Sequence, residues 1–200
     1  MKKKKKSGFK KYGILIVSFV ILAVGILYSF YDRAEKTKIK ENSQEEVSEL
    51  AILLNKDLKM NYPDTPRAVV DLYSKIITCY YEGLTEAELT NLAEKARMLM
   101  DAELLSYNPY ETYMVNLKND IRAFKSEKKT ISTYILENSY DVQYKRFQGN
   151  EYARLGCIYY TKSKSGTEKT LQYYTLRKDD AGLWKILYWG LGANSENEQE

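Results

Sequence analysis

At Thr130 the hydrophobic pattern of this chain changes its period, and that change decides what class of fold the sequence can adopt. Ahead of Thr130 apolar residues recur every three or four positions; after it they alternate. Three helices are predicted first. Thr65 caps the first and Pro66 sits in its opening turn, where a missing N–H costs nothing. Val69, Tyr73, Ile76 and Tyr80 form its stripe, Val70 and Ile77 widen it, and Gly83 ends it. The capping box Thr85-x-x-Glu88 opens the second, with Leu89, Leu92, Ala93, Ala96, Leu99 and Met100 on one face. Leu104 and Leu105 continue it after a local irregularity. Asn108-Pro109-x-Glu111 starts the third, whose stripe Tyr110, Tyr113, Met114, Leu117, Ile121 and Phe124 fades in the charged run from Lys125 to Lys129.

Strands are predicted near 131–147, 151–162, 168–178 and 183–190, joined by hairpin chemistry at Gln148-Gly149-Asn150, at 164–167 and at 179–182. Ala153, Leu155, Cys157 and Tyr159 share a face of the second strand. Trp184, Ile186 and Tyr188 share one of the last, and Trp189 has the opposite parity. Helices followed by an antiparallel meander give an α+β domain over 65–191, three helices packed on a curved four-stranded sheet.

The N-terminal 31 residues read differently. Lys2, Lys3, Lys4, Lys5, Lys6, Lys10 and Lys11 precede an uncharged run from Gly13 to Tyr31. Nineteen residues make about 28 Å of helix, enough to cross a bilayer core. The expectation is a basic cytoplasmic tail over 1–11, a transmembrane helix over 12–31 oriented by the lysines, and everything beyond Tyr31 outside the cytoplasm. A cleaved signal peptide would end in small residues, whereas this run ends Leu27-Tyr28-Ser29-Phe30-Tyr31. Residues 32–64 read as a stalk holding a short amphipathic helix, with Ser43 and Glu46 as its capping box and Val47, Leu50, Ala51, Leu54 and Leu58 as its stripe. The acidic tail 192–200 reads as disordered.

Composition removes several function classes. The formal charge of +4 hides an asymmetry: seven basic and no acidic residues fall in 1–31, so the remainder is acidic by three charges. That argues against a nucleic-acid binder. The absence of His excludes His-based triads, bases and metal ligands, and two Cys cannot make a Cys-rich zinc site. No Gly-rich phosphate loop or Ser elbow is present, so no cofactor, metal or catalytic residue is expected. Glu137 and Asp141 are the carboxylates weighed as an acid or base, in a polar stretch that a solvated strand edge explains equally well.

The run from Thr65 to Ile121, the entry NYPDTPR and the terminal hairpin LRKDDAGLWKILYW resemble an uncharacterised family of Gram-positive (Firmicutes) membrane proteins, a domain of unknown function, over about residues 45–190. The order of helices before four strands, closing on Trp184-Lys185-Ile186, also resembles the nuclear-transport-factor-2-like superfamily. That second resemblance implies a bent sheet wrapped around the first helix, with a conical pocket, and members ranging from isomerases to assembly modules.

Two candidate sites follow. Cys79 and Cys157, each on an apolar face, could form a disulfide or remain two buried thiols. Tyr is the compositional outlier, with 19 residues against five Phe. Tyr73, Tyr159, Tyr173, Tyr174 and Tyr188 could line a ligand pocket at the open end of the sheet, or could take the place of Phe in a half-wet core. The functional expectation is a membrane-anchored extracytoplasmic binding or assembly module without catalysis. Its partners would be the bilayer and envelope proteins or a second copy. A small-ligand sensor using the Tyr-lined cone and an isomerase-like enzyme are the alternatives.

Overall fold

The computed structural model describes residues 49–192. The basic head, the Gly13–Tyr31 run, the first part of the stalk and nearly all of the acidic tail lie outside the described residues. Four helices follow Thr65: α1 (Pro66–Cys79), α2 (Glu86–Met98), α3 (Ala102–Tyr107) and α4 (Tyr110–Glu127). Five strands follow them: β1 (Thr130–Leu136), β2 (Gln143–Phe147), β3 (Asn150–Ser163), β4 (Gly166–Lys178) and β5 (Trp184–Leu191). They form one antiparallel sheet in the order β1-β3-β4-β5, with β2 also on β3.

The expected three helices on a four-stranded sheet are corrected to four helices on a five-stranded one, and the expected transmembrane helix lies outside the described residues. Among the described residues no helix is long and apolar enough to cross a membrane. The first expected strand is two strands, because Asn138-Ser139-Tyr140-Asp141 turns, with Asp141 N–H donating to Asn138 O at 3.0 Å. β1 then lies along the second half of β3 and β2 along its first half. The second expected helix is also two. It ends at Met98, and residues 99–101 straighten beside β5, where Ile186 N–H donates to Leu99 O and Asp101 N–H to Ile186 O, both at 2.8 Å. That contact covers part of an otherwise open sheet edge. Asp101 then restarts the helix by accepting from Glu103 N–H at 2.9 Å.

The helix starts are local chemistry. Thr65 Oγ1 accepts from Ala68 N–H at 3.1 Å, and Thr85 and Glu88 cap each other's backbone N–H groups at 2.8 and 3.3 Å. Those bonds hold the Glu88 carboxyl below the usual carboxylate range. α4 runs until Lys128 takes a left-handed conformation at φ 53°. In the stalk, residues 49–55 are helical, and Leu53 and Leu58 are buried. Lys95 Nζ ties this segment to α2 by donating to Leu54 O at 3.0 Å.

α1 lies across the inner face of the sheet, against β1, β3 and β5. Its buried residues Val69, Val70, Tyr73, Ile76, Cys79 and Tyr80 meet Ala153, Leu155, Cys157, Tyr159, Tyr174, Leu176, Trp184 and Ile186 in one core. Asp101, 3% exposed, is paired within it: Arg177 donates to it from two nitrogens at 3.0 and 2.5 Å. A bidentate pair of this kind fixes the α2–α3 break against β4.

The register of β5 departs from simple alternation. Thr175 pairs with Tyr188 and Leu176 with Ile186, so Leu187 is an extra residue, a β-bulge. The bulge inverts the parity of everything after it. Tyr188, expected beside Trp184 and Ile186, faces the outer side and is 56% exposed. Trp189, expected on the outer side, pairs with Tyr174 and packs on Tyr73 with ring centroids 5.7 Å apart.

Candidate functional site

The five tyrosines expected to line a pocket are divided between the two faces of the sheet. Tyr73, Tyr159 and Tyr174 come together on the inner face, where they are 5%, 3% and 0% exposed. Tyr73 and Tyr174 meet edge to face at 5.9 Å, and Tyr134 packs on Tyr159 at 6.1 Å. The hydroxyls of Tyr159 and Tyr174 form a chain with Ser74 of α1. Ser74 Oγ and Tyr159 Oη are 2.6 Å apart, Tyr159 Oη and Tyr174 Oη 2.8 Å, and Tyr174 donates to Gln172 Oε1 at 3.0 Å. Each hydroxyl has one proton, so the last bond sets the direction of all the others. With Tyr174 donating to Gln172, Tyr159 must donate to Tyr174, and Ser74 to Tyr159. The Cys157 thiol, 3.8 Å from Ser74 Oγ, is left to donate at the head of the chain.

This arrangement keeps every member neutral. Burial pushes the Tyr159 and Tyr174 hydroxyls well above the ordinary phenol value and raises the Cys157 thiol. The Tyr159 and Tyr174 hydroxyls that would have served a ligand are taken up within this chain, so the inner tyrosines act as core with a polar seam. Cys79 and Cys157 are both buried as thiols. Among the described residues no cluster of His, Cys, Asp or Glu could hold a metal ion.

Glu137 and Asp141 have structural duties. Glu137 Oε2 accepts from Gly156 N–H at 2.7 Å, while its own N–H donates to Gly156 O and its carbonyl accepts from Arg67 Nε. A Cβ on Gly156 would sit 2.7 Å from Glu137 Oε1 and 3.2 Å from the Tyr173 ring, so only glycine admits this carboxylate. Asp141 is exposed and accepts from Asn138 Nδ2 at 3.3 Å.

The outer face carries the open site. Register places Gln143, Arg154, Thr175 and Tyr188 in one row across β2, β3, β4 and β5. Lys145 and Tyr152 form the adjoining row, and Phe147 closes the end where the tight turn Gln148-Gly149 has both φ angles positive. Together they line a groove of about 310 Å³. Its walls are aromatic: Phe147 and Tyr188 are each more than half exposed. Its charge is positive, with Lys145 and Arg154 as cations and no acid among the lining residues. Neither cation is in an ion pair among the described residues. Arg154 instead lies over the ring of Tyr173, guanidinium carbon 4.0 Å from the centroid. A Cβ at Gly156 would sit 3.2 Å from the Tyr173 ring and one at Gly192 3.1 Å from it, so these two glycines give that ring its room beneath the guanidinium.

Of the expected pocket residues, then, only Tyr188 lines this groove, and Tyr173 supports it from beneath Arg154. Gln143, Lys145, Phe147, Tyr152 and Arg154 had no part in the expectation. Their signal was present: they alternate at period 2, out of phase with Ala153 and Leu155, and combine cations with aromatics where solvated strand faces are usually simply polar.

A family model described as Domain of unknown function (DUF6715) matches residues 1–189. Comparison with curated proteins gives no match.

Proposed function

The chain belongs to that family of unknown function, DUF6715, and from that premise we propose that it is a non-catalytic binding or assembly module that works through the outer face of its sheet. The observation that carries this reading is the contrast between the two faces. The inner aromatics pack on one another, whereas the outer groove presents exposed Phe147 and Tyr188 with two cations that have no ion-pair partner among the described residues. Exposed apolar surface beside unpaired charge marks binding surfaces. A sensor holding its ligand among Tyr73, Tyr159 and Tyr174 would have to displace a closed hydroxyl chain.

Placement at the cell envelope is part of the proposal and rests on the sequence: seven lysines, then nineteen uncharged residues, then the domain. The finer likeness to Gram-positive membrane proteins rests on the run from Thr65 to Ile121, the NYPDTPR entry and the terminal hairpin, and the likeness to nuclear-transport-factor-2-like domains on the order of helices before an antiparallel sheet that closes on Trp184-Lys185-Ile186.

A photo-reactive amino acid replacing Tyr188 in the full chain, illuminated in intact cells, should yield a discrete cross-linked species. The same group at Tyr107, 78% exposed on α3, should not. Equal products from both positions, or none from Tyr188, would remove the outer face as the working surface. A cysteine placed at Asn194 should react with an impermeant reagent on intact cells, and labelling only after lysis would overturn the envelope placement.

A further inference from the structure

Resting on the outer face as the binding surface, the geometry points to a carboxylate-bearing sugar residue as the occupant of the groove. Charge comes first. Among the described residues neither Lys145 nor Arg154 is in an ion pair, and the lining includes no acid to compete with an anionic ligand. Glu137, the residue just past the end of β1, is engaged by Gly156 N–H.

Shape comes second. The Arg154 guanidinium is held over the Tyr173 ring, which fixes a planar fork of donors before any ligand arrives. A planar carboxylate matches such a fork in a two-bond geometry. A groove of about 310 Å³ is at the small end for ligand sites, the size of one or two rings.

The third argument separates a sugar from a peptide. The groove lies on the face of the sheet, where the backbone groups of β3 and β4 are taken up by the ladders on either side, and the far side of β2 is an edge. An extended peptide laid here would find no main-chain partners, and peptides that dock on sheets do so at an edge for that reason. A sugar ring brings its own hydroxyls and two C–H faces. Phe147 and Tyr188 offer flat apolar surfaces to those faces. Gln143, on the Arg154 row, and Thr175, between Arg154 and Tyr188, offer an amide and a hydroxyl to the ring hydroxyls.

The test is calorimetric titration of the full chain in detergent with four probes: a glucuronic-acid disaccharide, the matching glucose disaccharide, an acidic hexapeptide and inorganic phosphate. The uronic disaccharide should bind saturably, and the neutral one about tenfold or more weaker, a difference of about 1.4 kcal/mol. Arg154→Gln should erase that preference, and Tyr188→Ala should weaken both sugars. Both positions are solvent-facing, and thermal melts matching the wild type will show that the variants fold; Lys145→Gln serves in place of either one that does not. Equal affinity for the two disaccharides, tighter binding of the peptide or of phosphate, or an unchanged preference in Arg154→Gln overturns the ligand assignment. Cross-linking at Tyr188 without sugar binding removes the ligand and keeps the surface; failure of both removes both.

Discussion

Trp184→Ala should lower the unfolding free energy by about 3–5 kcal/mol, the usual cost of removing a large aromatic from a core. Trp184 is 6% exposed, its ring meets Tyr144 at 6.0 Å, and Lys178 Nζ sits 5.1 Å above it. Its carbonyl accepts from Tyr62 Oη at 2.8 Å, so the stalk's approach to the domain depends on the same residue position. For a domain of about 5–15 kcal/mol total stability, the loss is a large fraction of what holds it folded. Trp189→Ala should cost less, about 1–2 kcal/mol, because 38% of it is already exposed and only ring contacts with Tyr73 and Tyr174 are lost. Urea titrations of the two variants beside the wild type will order them. A larger loss at Trp189 would mean that the aromatic cluster over α1, and not the β5 start, is the centre of the core.

That comparison also shows where the sequence was readable. The inward direction of Trp184 and Ile186 followed from alternation, and it held. Parity failed after Ile186 because a bulge leaves no local mark: Leu187 is as good a strand residue as its neighbours. The bulge adjoins Ile186, which Leu99 and Asp101, far off in sequence, bond from the open side. Helix starts were legible for the opposite reason. Thr65-Pro66 and Thr85-x-x-Glu88 carry their chemistry within four residues. The turn at Asn138–Asp141 has turn-forming residues inside a polar stretch that also fits a strand edge, which merges β1 with β2 in the pattern and hides a fifth strand. The outer groove required register across four strands. No single segment contains Gln143, Arg154, Thr175 and Tyr188 together, so alternation could nominate the outward residues of each strand without saying which ones meet.

The same burial that removes the inner tyrosines from ligand binding makes the fold sensitive to alkali, and the expected result is cooperative unfolding within a few pH units above about 10. Tyr73, Tyr80, Tyr159 and Tyr174 are each 5% exposed or less. Burial is the first cause holding all four hydroxyls protonated far above the ordinary phenol value; neighbouring tyrosines add to it at Tyr73, Tyr80 and Tyr174, and the Cys157 thiol at Tyr159. Below about pH 10 both the folded and unfolded chains keep these protons, so the groups leave stability unchanged. Above it the unfolded chain releases them and the folded chain cannot. Each tyrosine then favours unfolding by about 1.4 kcal/mol per pH unit, and four together by about 5 kcal/mol. That is the scale of the whole stability of such a domain. Tyrosinate absorbance and the far-ultraviolet helix signal, followed through an alkaline titration, should change in one step for these residues. Tyr174→Phe should reduce the slope by about a quarter, since one of four equal contributions is gone. It also leaves the Tyr159 hydroxyl without its acceptor, at a cost of about 1–3 kcal/mol at neutral pH. Tyrosinate that forms in full while the helix signal stays constant would show the inner hydroxyls open to water, and the space between α1 and the sheet would again be available to a ligand.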